Sequence, residues 1–241
     1  MPPGQIRDHC SIMIPKALRP TMANDVRTFT HRGPHNGTAN RWKNARRLRV
    51  EDRYRCWEAI AMEFVAARST IGSDVVRQWA KNLRPGSDVV DIGCGSGAPV
   101  SQVLVDEGCC IFGIDASPTL LSMFKRRFPA APAACEPVER SLFFSQKFDG
   151  AVAVGLLFLL PEEAQRSLIK KVGTILKPDG RFLFSAPQDP CEWPDRQTGQ
   201  VSRSLGMATY ERLLRDAGLR LERCYFDEGG NHYVAAVAEG T

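Results

Sequence analysis

The residues most able to do chemistry stand close together at Val89-Val90-Asp91-Ile92-Gly93-Cys94-Gly95-Ser96-Gly97. An apolar run here ends on a carboxylate and passes into a glycine loop that opens a helix. Glycines let a ligand approach the backbone, and a helix N-terminus presents amide donors. The glycines fall as Gly-x-Gly-x-Gly, whereas the dinucleotide fingerprint requires Gly-x-Gly-x-x-Gly so that its third glycine packs in the helix face. Asp91, placed just before the loop, would repel a pyrophosphate but favour a ligand carrying ammonium or sulfonium charge. The pattern therefore favours S-adenosylmethionine over NAD.

A second carboxylate sharpens the reading. Gly113-Ile114-Asp115-Ala116-Ser117 places Asp115 at the end of the next strand, 20 positions beyond Gly95, where it can accept ribose hydroxyl hydrogen bonds. The same segment also serves as a helix start, with Ser117 capping the run from Pro118.

The elements that must position these residues alternate. Two amphipathic helices, one around Trp57, Ile60, Ala61, Phe64 and Val65 and one around Val75, Val76, Trp79 and Leu83, precede strand Asp88 to Ile92. A helix from Pro99 follows, then strand Ile111 to Asp115, helix Pro118 to Phe128, strand Ala133 to Cys135, strand Asp149 to Gly155, helix Glu162 to Leu176 and strand Arg181 to Ala186. Such alternation implies a doubly wound parallel α/β sheet with helices on both faces. Pro187 to Ser204 reads as a long loop, of the kind used as a lid or binding segment. After a helix near Thr209 to Ala217, strands Leu219 to Phe226 and Tyr233 to Ala238 are joined too closely for a parallel crossover, which requires an antiparallel hairpin.

Asp91-Ile92-Gly93-Cys94-Gly95-Ser96-Gly97, Gly113-Ile114-Asp115-Ala116-Ser117, Phe148-Asp149 and Leu176-Lys177-Pro178-Asp179-Gly180 resemble the successive motifs of class I S-adenosylmethionine-dependent methyltransferases, over roughly residues 54 to 238. The resemblance implies the class I methyltransferase fold, a mostly parallel seven-stranded sheet with a C-terminal antiparallel hairpin. It also implies S-adenosyl-L-methionine as cofactor. By the same resemblance, Asp91 and the loop backbone of Gly93, Cys94, Gly95 and Gly97 lie near the methionine moiety. Asp115, with Ala116 and Ser117 after it, serves the ribose, and the backbone around Gly155 lines the methyl-transfer side. Members of this family often follow the third strand with an acid and then a residue whose N–H meets adenine. Here Glu136 is followed by Pro137, which has no N–H. Either Glu136 takes the adenine amino group with Val138 donating, or the register shifts towards Glu139.

Bulk properties bound the partners. The net charge is +5, but residues 1 to 50 hold ten Lys and Arg against two acids, a net of +8, which leaves −3 for the remainder. The folded body thus offers no global positive field. Residues 1 to 40 lack helical or alternating periodicity and read as a disordered basic tail, as consistent with an over-long start (Met22) as with targeting; residues 41 to 241 form the methyltransferase domain. No apolar run is long enough to span a bilayer. The eight cysteines contain no Cys-x-x-Cys pair and no Cys/His spacing typical of zinc, which predicts no metal and a reducing, cytoplasmic location.

The expected activity is methylation of a small-molecule acceptor. The alternatives are an RNA or protein methyltransferase that anchors phosphate through the basic segment Arg41 to Arg49, and a cofactor-binding fold without transfer activity. The exit of strand four, Val154-Gly155-Leu156-Leu157-Phe158, lacks the Asn/Asp-Pro-Pro-aromatic clamp for planar amines. Cys191 as a nucleophile is disfavoured by Glu192 beside it. Trp193, Asp195, Arg196 and Thr198 are candidate acceptor contacts, and Arg68 is a candidate partner for the cofactor carboxylate. The turn Asp227 to Tyr233 is expected to overlook the acceptor pocket, with His232 as catalytic base oriented by Asp227 or Glu228.

Overall fold

The computed structural model describes residues 50–240. The expected tail over residues 1 to 40, Met22 and the basic segment up to Arg49 lie outside the described residues.

Among the described residues three helices, not two, precede the sheet: α1 (Val50–Ala59), α2 (Ala61–Ala67) and α3 (Ser73–Ala80). The apolar spacing across Trp57 to Val65 suggested one helix, but Ile60, at φ −114° and ψ 16°, leaves helical geometry and divides it. In α3 the residues Val75, Val76, Trp79 and Ala80 recur at helical spacing and are all buried.

The alternation then runs β1 (Asp88–Ile92), α4 (Val100–Asp106), β2 (Cys110–Asp115), α5 (Pro118–Arg127), β3 (Ala133–Cys135), β4 (Phe148–Ala153), α6 (Glu162–Ile175) and β5 (Leu176–Ser185). The strand order is β3-β2-β1-β4-β5 followed by β9 (His232–Ala238) and β8 (Leu219–Phe226). β1 to β5 pair in parallel, β9 is antiparallel to both β5 and β8, and β8 therefore runs with the first five strands. This is the doubly wound seven-stranded sheet and C-terminal hairpin that the sequence implied.

Strand periodicity explains how both faces are covered. Val90, Ile92, Ala151, Phe182, Phe184 and Val234 pack on one side with Leu168, Ile169 and Val172 of α6, together with Tyr210 and Leu214 of α7 (Met207–Asp216). Their neighbours Val89, Val152, Leu183 and Ala235 pack on the other side with α3 and α4. Each central strand is apolar on both faces, as a sheet buried between two helical layers requires.

The segment expected to be an open loop contains a second sheet. β6 (Cys191–Pro194) and β7 (Val201–Ser204) form an antiparallel hairpin. At its turn, Asp195 Oδ1 accepts from the Gln197 and Thr198 amides and from Thr198 Oγ1. Asp195 and Thr198 thus build the turn, an Asx arrangement that holds the two strands in register. The hairpin base is pinned by Gln165 of α6, whose amide donates to the carbonyls of Leu160 and Arg203 and accepts from Tyr210 Oη. Among the described residues no helix is long and apolar enough to cross a membrane.

Candidate functional site

A cleft opens at the carboxyl ends of β1, β2 and β4, the edge of an open α/β sheet where ligands bind. Its floor is the turn after β1. Gly93, Gly95 and Gly97 have φ of 75°, 55° and 82°, a region in which side-chain-bearing residues are strained. Three of the loop amides are turned inward, not outward as the sequence suggested. Those of Gly93 and Cys94 both donate to the Ile114 carbonyl, at 2.8 and 3.0 Å, and that of Gly95 donates to Asp115 Oδ2 at 2.8 Å. The loop offers a surface bare of side chains, while its donors fasten it to β2.

Asp115 lines the cleft and is held from two sides, because Oδ1 also accepts the Ser117 amide at 2.8 Å. Burial pushes its carboxyl up, and these two hydrogen bonds pull it down. Each oxygen retains a lone pair for a ligand hydroxyl. Glu136 and Val138, after β3, line the neighbouring wall, and Glu136 is fixed by its amide to the Asp115 carbonyl at 3.0 Å.

The opposite end is formed by Gly155, past the end of β4 at φ 76°, and by Leu156, Leu159 and Leu160. The Gly155 amide donates to Ser185 Oγ at 2.8 Å, which sets the turn against the end of β5. Arg68 Nη1 comes within 3.8 Å of the point where a Cβ on Gly155 would stand, and its guanidinium lies 5.6 Å from the centre of the Phe64 ring.

Helix α1 roofs the cleft with Arg53, Tyr54 and Trp57. Trp57 meets Phe64 edge-on at 5.7 Å. Arg53 pairs with Glu139 at 2.5 Å, Tyr54 Oη donates to the same carboxylate, and Gln200 from the β6–β7 turn donates to the Arg53 carbonyl at 3.3 Å.

Of the residues singled out in the sequence, the cleft brings together Trp57, Phe64, Gly93, Gly95, Asp115, Ala116, Ser117, Glu136, Val138 and Gly155. Asp91, Cys94, Gly97 and His232 stand outside its lining. Asp91 is 2% exposed at the end of β1 and accepts from Ser101 Oγ at 2.6 Å. Burial pushes its carboxyl up to about 7, against the pull of Ser101 and Arg68. Cys94 is buried, with its thiol pushed up by desolvation. A Cβ on Gly97 would stand 2.5 Å from Phe128, so this glycine serves helix packing.

His232 begins β9 and is 4% exposed, its Nδ1 3.0 Å from the Ala186 carbonyl and its ring 5.1 Å from that of Phe226. Asp227 does not orient it. That carboxylate accepts from the amides of Gly229 and Asn231, from Asn231 Nδ2 and from Tyr233 Oη, while Glu228 approaches the Gly72 amide at 3.5 Å. The Trp193 ring meets that of Phe158 at 5.6 Å, tilted by 38°.

The apolar helical segment around Phe64 was expected to cover the cofactor, and Trp57 and Phe64 do line the cleft; nothing in the sequence signalled Tyr54 in that roof, Leu120 beside Ser117, or Gln200.

A doubly wound sheet with its glycine turn, an acid at the end of the second strand and an antiparallel strand set between β5 and β8 has the class I methyltransferase architecture. The family described as "Methyltransferase domain" matches residues 64–223, more than half of the chain. The chain belongs to the class I S-adenosylmethionine-dependent methyltransferase family. It is similar to an uncharacterized methyltransferase of Synechocystis, 32% identical over 112 residues, covering 46% of this chain and 52% of that one. It is also similar to the carboxy-S-adenosyl-L-methionine synthase of Yersinia enterocolitica, 28% identical over 127 residues, covering 49% and 46%. The chain spans about half the length of the curated relatives it matches.

Two solved structures share the fold. One is the 1,6-didemethyltoxoflavin-N1-methyltransferase of Burkholderia thailandensis, with bound 1,6-didemethyltoxoflavin and S-adenosylhomocysteine (TM-score 0.63, 16% identity, 80% of this chain and 91% of that one). The other is a putative methyltransferase of Haloferax volcanii in complex with the Trm112 methyltransferase activator (TM-score 0.64, 17% identity, 80% and 99%).

Proposed function

We propose that the chain is an S-adenosylmethionine-dependent methyltransferase acting on a small-molecule acceptor. The observation that carries this reading is one continuous cleft that joins the side-chain-free surface of Gly93 and Gly95, the carboxylate of Asp115 and the Gly155 turn beneath an aromatic roof.

The residues present fit the cofactor. In this reading Asp115 accepts the ribose hydroxyls, and Glu136 and Val138, which line the neighbouring wall, would flank the adenine. Arg68, beside Gly155, suits the methionine carboxylate, while Asp91 lies behind the loop as a charge complement rather than a contact. When bound, S-adenosylmethionine supplies an electrophilic methyl group on its sulfonium. The chain's own task is to orient the acceptor and exclude water, for which Phe64, Leu156 and Leu159 provide an apolar surround. Where the acceptor must lose a proton, His232 is the base in this reading. Donation from its Nδ1–H to Ala186 leaves the Nε2 lone pair, and burial lowers its pKa, so the ring is neutral at neutral pH.

The contact of Gln200 with the Arg53 carbonyl brings the hairpin turn against the roof beside the cleft, a narrowing that supports a small acceptor. Residues 51–241 carry a net charge of −3, so the part of the chain that builds the cleft offers no net attraction to phosphate backbones, and only the basic segment before it could supply one. The fold neighbour solved with 1,6-didemethyltoxoflavin is consistent with such an acceptor.

The test is incubation with labelled S-adenosylmethionine and fractionated cell extract. Label in small molecules is the expected result. Label in RNA or protein would overturn the acceptor class, and binding without transfer to any fraction would overturn the activity.

A further inference from the structure

Helix α5 starts beside Asp115, and its first amides have no partners within the helix. Ser117 Oγ accepts the Leu120 amide at 3.1 Å as an ordinary cap. A second cap arrives from another helix. Glu58, on the roof, accepts from Ser117 Oγ and the Thr119 amide (3.3 Å) through Oε2, and from Thr119 Oγ1 (2.6 Å) through Oε1. These hydrogen bonds hold its carboxyl below the usual range. The same Ser117 gives its backbone N–H to Asp115. One residue thus joins the acid of the cleft to the acid of the roof.

We propose that Glu58 is a positioning residue that latches helix α1 shut over a bound cofactor, so that release of the cofactor requires its contacts with Ser117 and Thr119 to break. The proposal rests on the cleft being the cofactor site. Tyr54 and Trp57 lie within one turn of Glu58 on the same helix and line the cleft, so a molecule seated on Asp115 leaves past them only if α1 lifts. Further polar ties on α1 run from Arg53 and Tyr54 to Glu139 and from Gln200 to the Arg53 carbonyl, and like that of Glu58 they stand at half-buried positions. Water replaces such contacts at small cost, so α1 opens more readily than the sheet. A ligand beneath Tyr54 and Trp57 adds apolar contact to the closed state alone and shifts the balance towards closure.

The experiment uses the full chain with S-adenosylhomocysteine as probe. Its release rate and the hydrogen exchange of residues 50–60, with and without the probe, are measured for the unsubstituted protein, Glu58→Gln and Glu58→Ala. Loss of a charge-assisted contact predicts release about tenfold or more faster in Glu58→Ala. Probe-induced protection of residues 50–60 should also disappear in that variant, and Glu58→Gln, which keeps one acceptor oxygen, should fall between. If Glu58→Ala does not fold, Thr119→Val removes part of the latch from the other side and should accelerate release in the same direction. Unchanged release, or equal protection of the roof with and without the probe, overturns the latch. Failure of the unsubstituted protein to bind the probe sinks the cofactor reading itself, and the latch with it.

Discussion

Asp115 Oδ2 accepts the backbone N–H of Gly95 at 2.8 Å, so two motifs that stand 20 positions apart are locked by one hydrogen bond. The acid proposed for the ribose is also the brace of the glycine turn, with its second oxygen on the Ser117 amide.

Asp115→Ala should weaken S-adenosylmethionine binding by about 1.5–3 kcal/mol, roughly tenfold to a hundredfold, through loss of a charged acceptor. It also strands the Gly95 and Ser117 amides, so stability should fall as well. Asp115→Asn retains one acceptor oxygen and should lose less of both. Calorimetry on the folded variants decides the matter; unchanged affinity would remove Asp115 from the cofactor site.

Gly97→Ala tests the packing role of the third glycine. At φ 82°, with the new Cβ only 2.5 Å from Phe128, the substitution meets both backbone strain and overpacking. The cost should be about 1–3 kcal/mol, and each kcal/mol lowers the melting temperature by about 2–4 °C in a domain of this size. An unchanged melting curve would show that Phe128 moves freely aside.

What was legible in the sequence was local. The Gly93 to Gly97 loop, Asp115 and Ser117 lie within short segments whose chemistry follows from residue type and spacing, and the strands around them show the apolar runs of a buried sheet. What was hidden depends on distant partners. Glu58 meets Ser117 and Thr119 across about 60 positions, Arg53 and Tyr54 meet Glu139 across about 85, and Gln200 meets Arg53 across 147. The β6–β7 hairpin escaped because Cys191–Pro194 is four residues long and ends in proline, which masks strand alternation. The role given to Asp227 failed for a physical reason. Its carboxylate is satisfied by its own turn and by Tyr233 before His232 is reached, and the five-residue turn between β8 and β9, rich in glycine, needs such a brace.

Asp91 gives stability a definite pH dependence. Its carboxyl is raised from 3.8 to about 7 by burial, so the folded protein binds this proton more tightly than the unfolded chain. The sign follows from linkage: stability is greatest below the unfolded pKa, falls as pH rises from about 4 to about 7, and is flat above. The slope in that window is at most about 1.4 kcal/mol per pH unit. Asp91→Asn keeps a partner for Ser101 and has no charge to bury. Its melting temperature relative to the unsubstituted protein should therefore rise between pH 5 and pH 8, measured without cofactor. A constant difference across that range would show that Asp91 is ionised in the fold throughout.

His232 carries the sharpest test of the acceptor side. The imidazole is buried at the start of β9, at the carboxyl end of the sheet where the cleft lies, yet it is not part of the cleft lining. Its tautomer is set by the Ala186 carbonyl, which accepts from Nδ1 and leaves Nε2 as the basic nitrogen. Burial lowers its pKa from the ordinary histidine value, against the pull of the Ala186 carbonyl, so a base at this position would stay neutral to lower pH than an exposed histidine. If Nε2 removes the acceptor proton, His232→Ala should cut kcat about a hundredfold while leaving S-adenosylmethionine affinity within about twofold. The acidic limb of the pH–rate profile should disappear with it. His232→Gln retains a hydrogen-bonding side chain near Ala186 but supplies no base, so it should share the kinetic loss while preserving more of the melting temperature. If both variants turn over normally once the acceptor is known, the ring is structural, held by Ala186 and Phe226. If instead cofactor affinity falls with kcat, His232 acts on the cofactor side through the β5 terminus and the Gly155 turn that Ser185 supports.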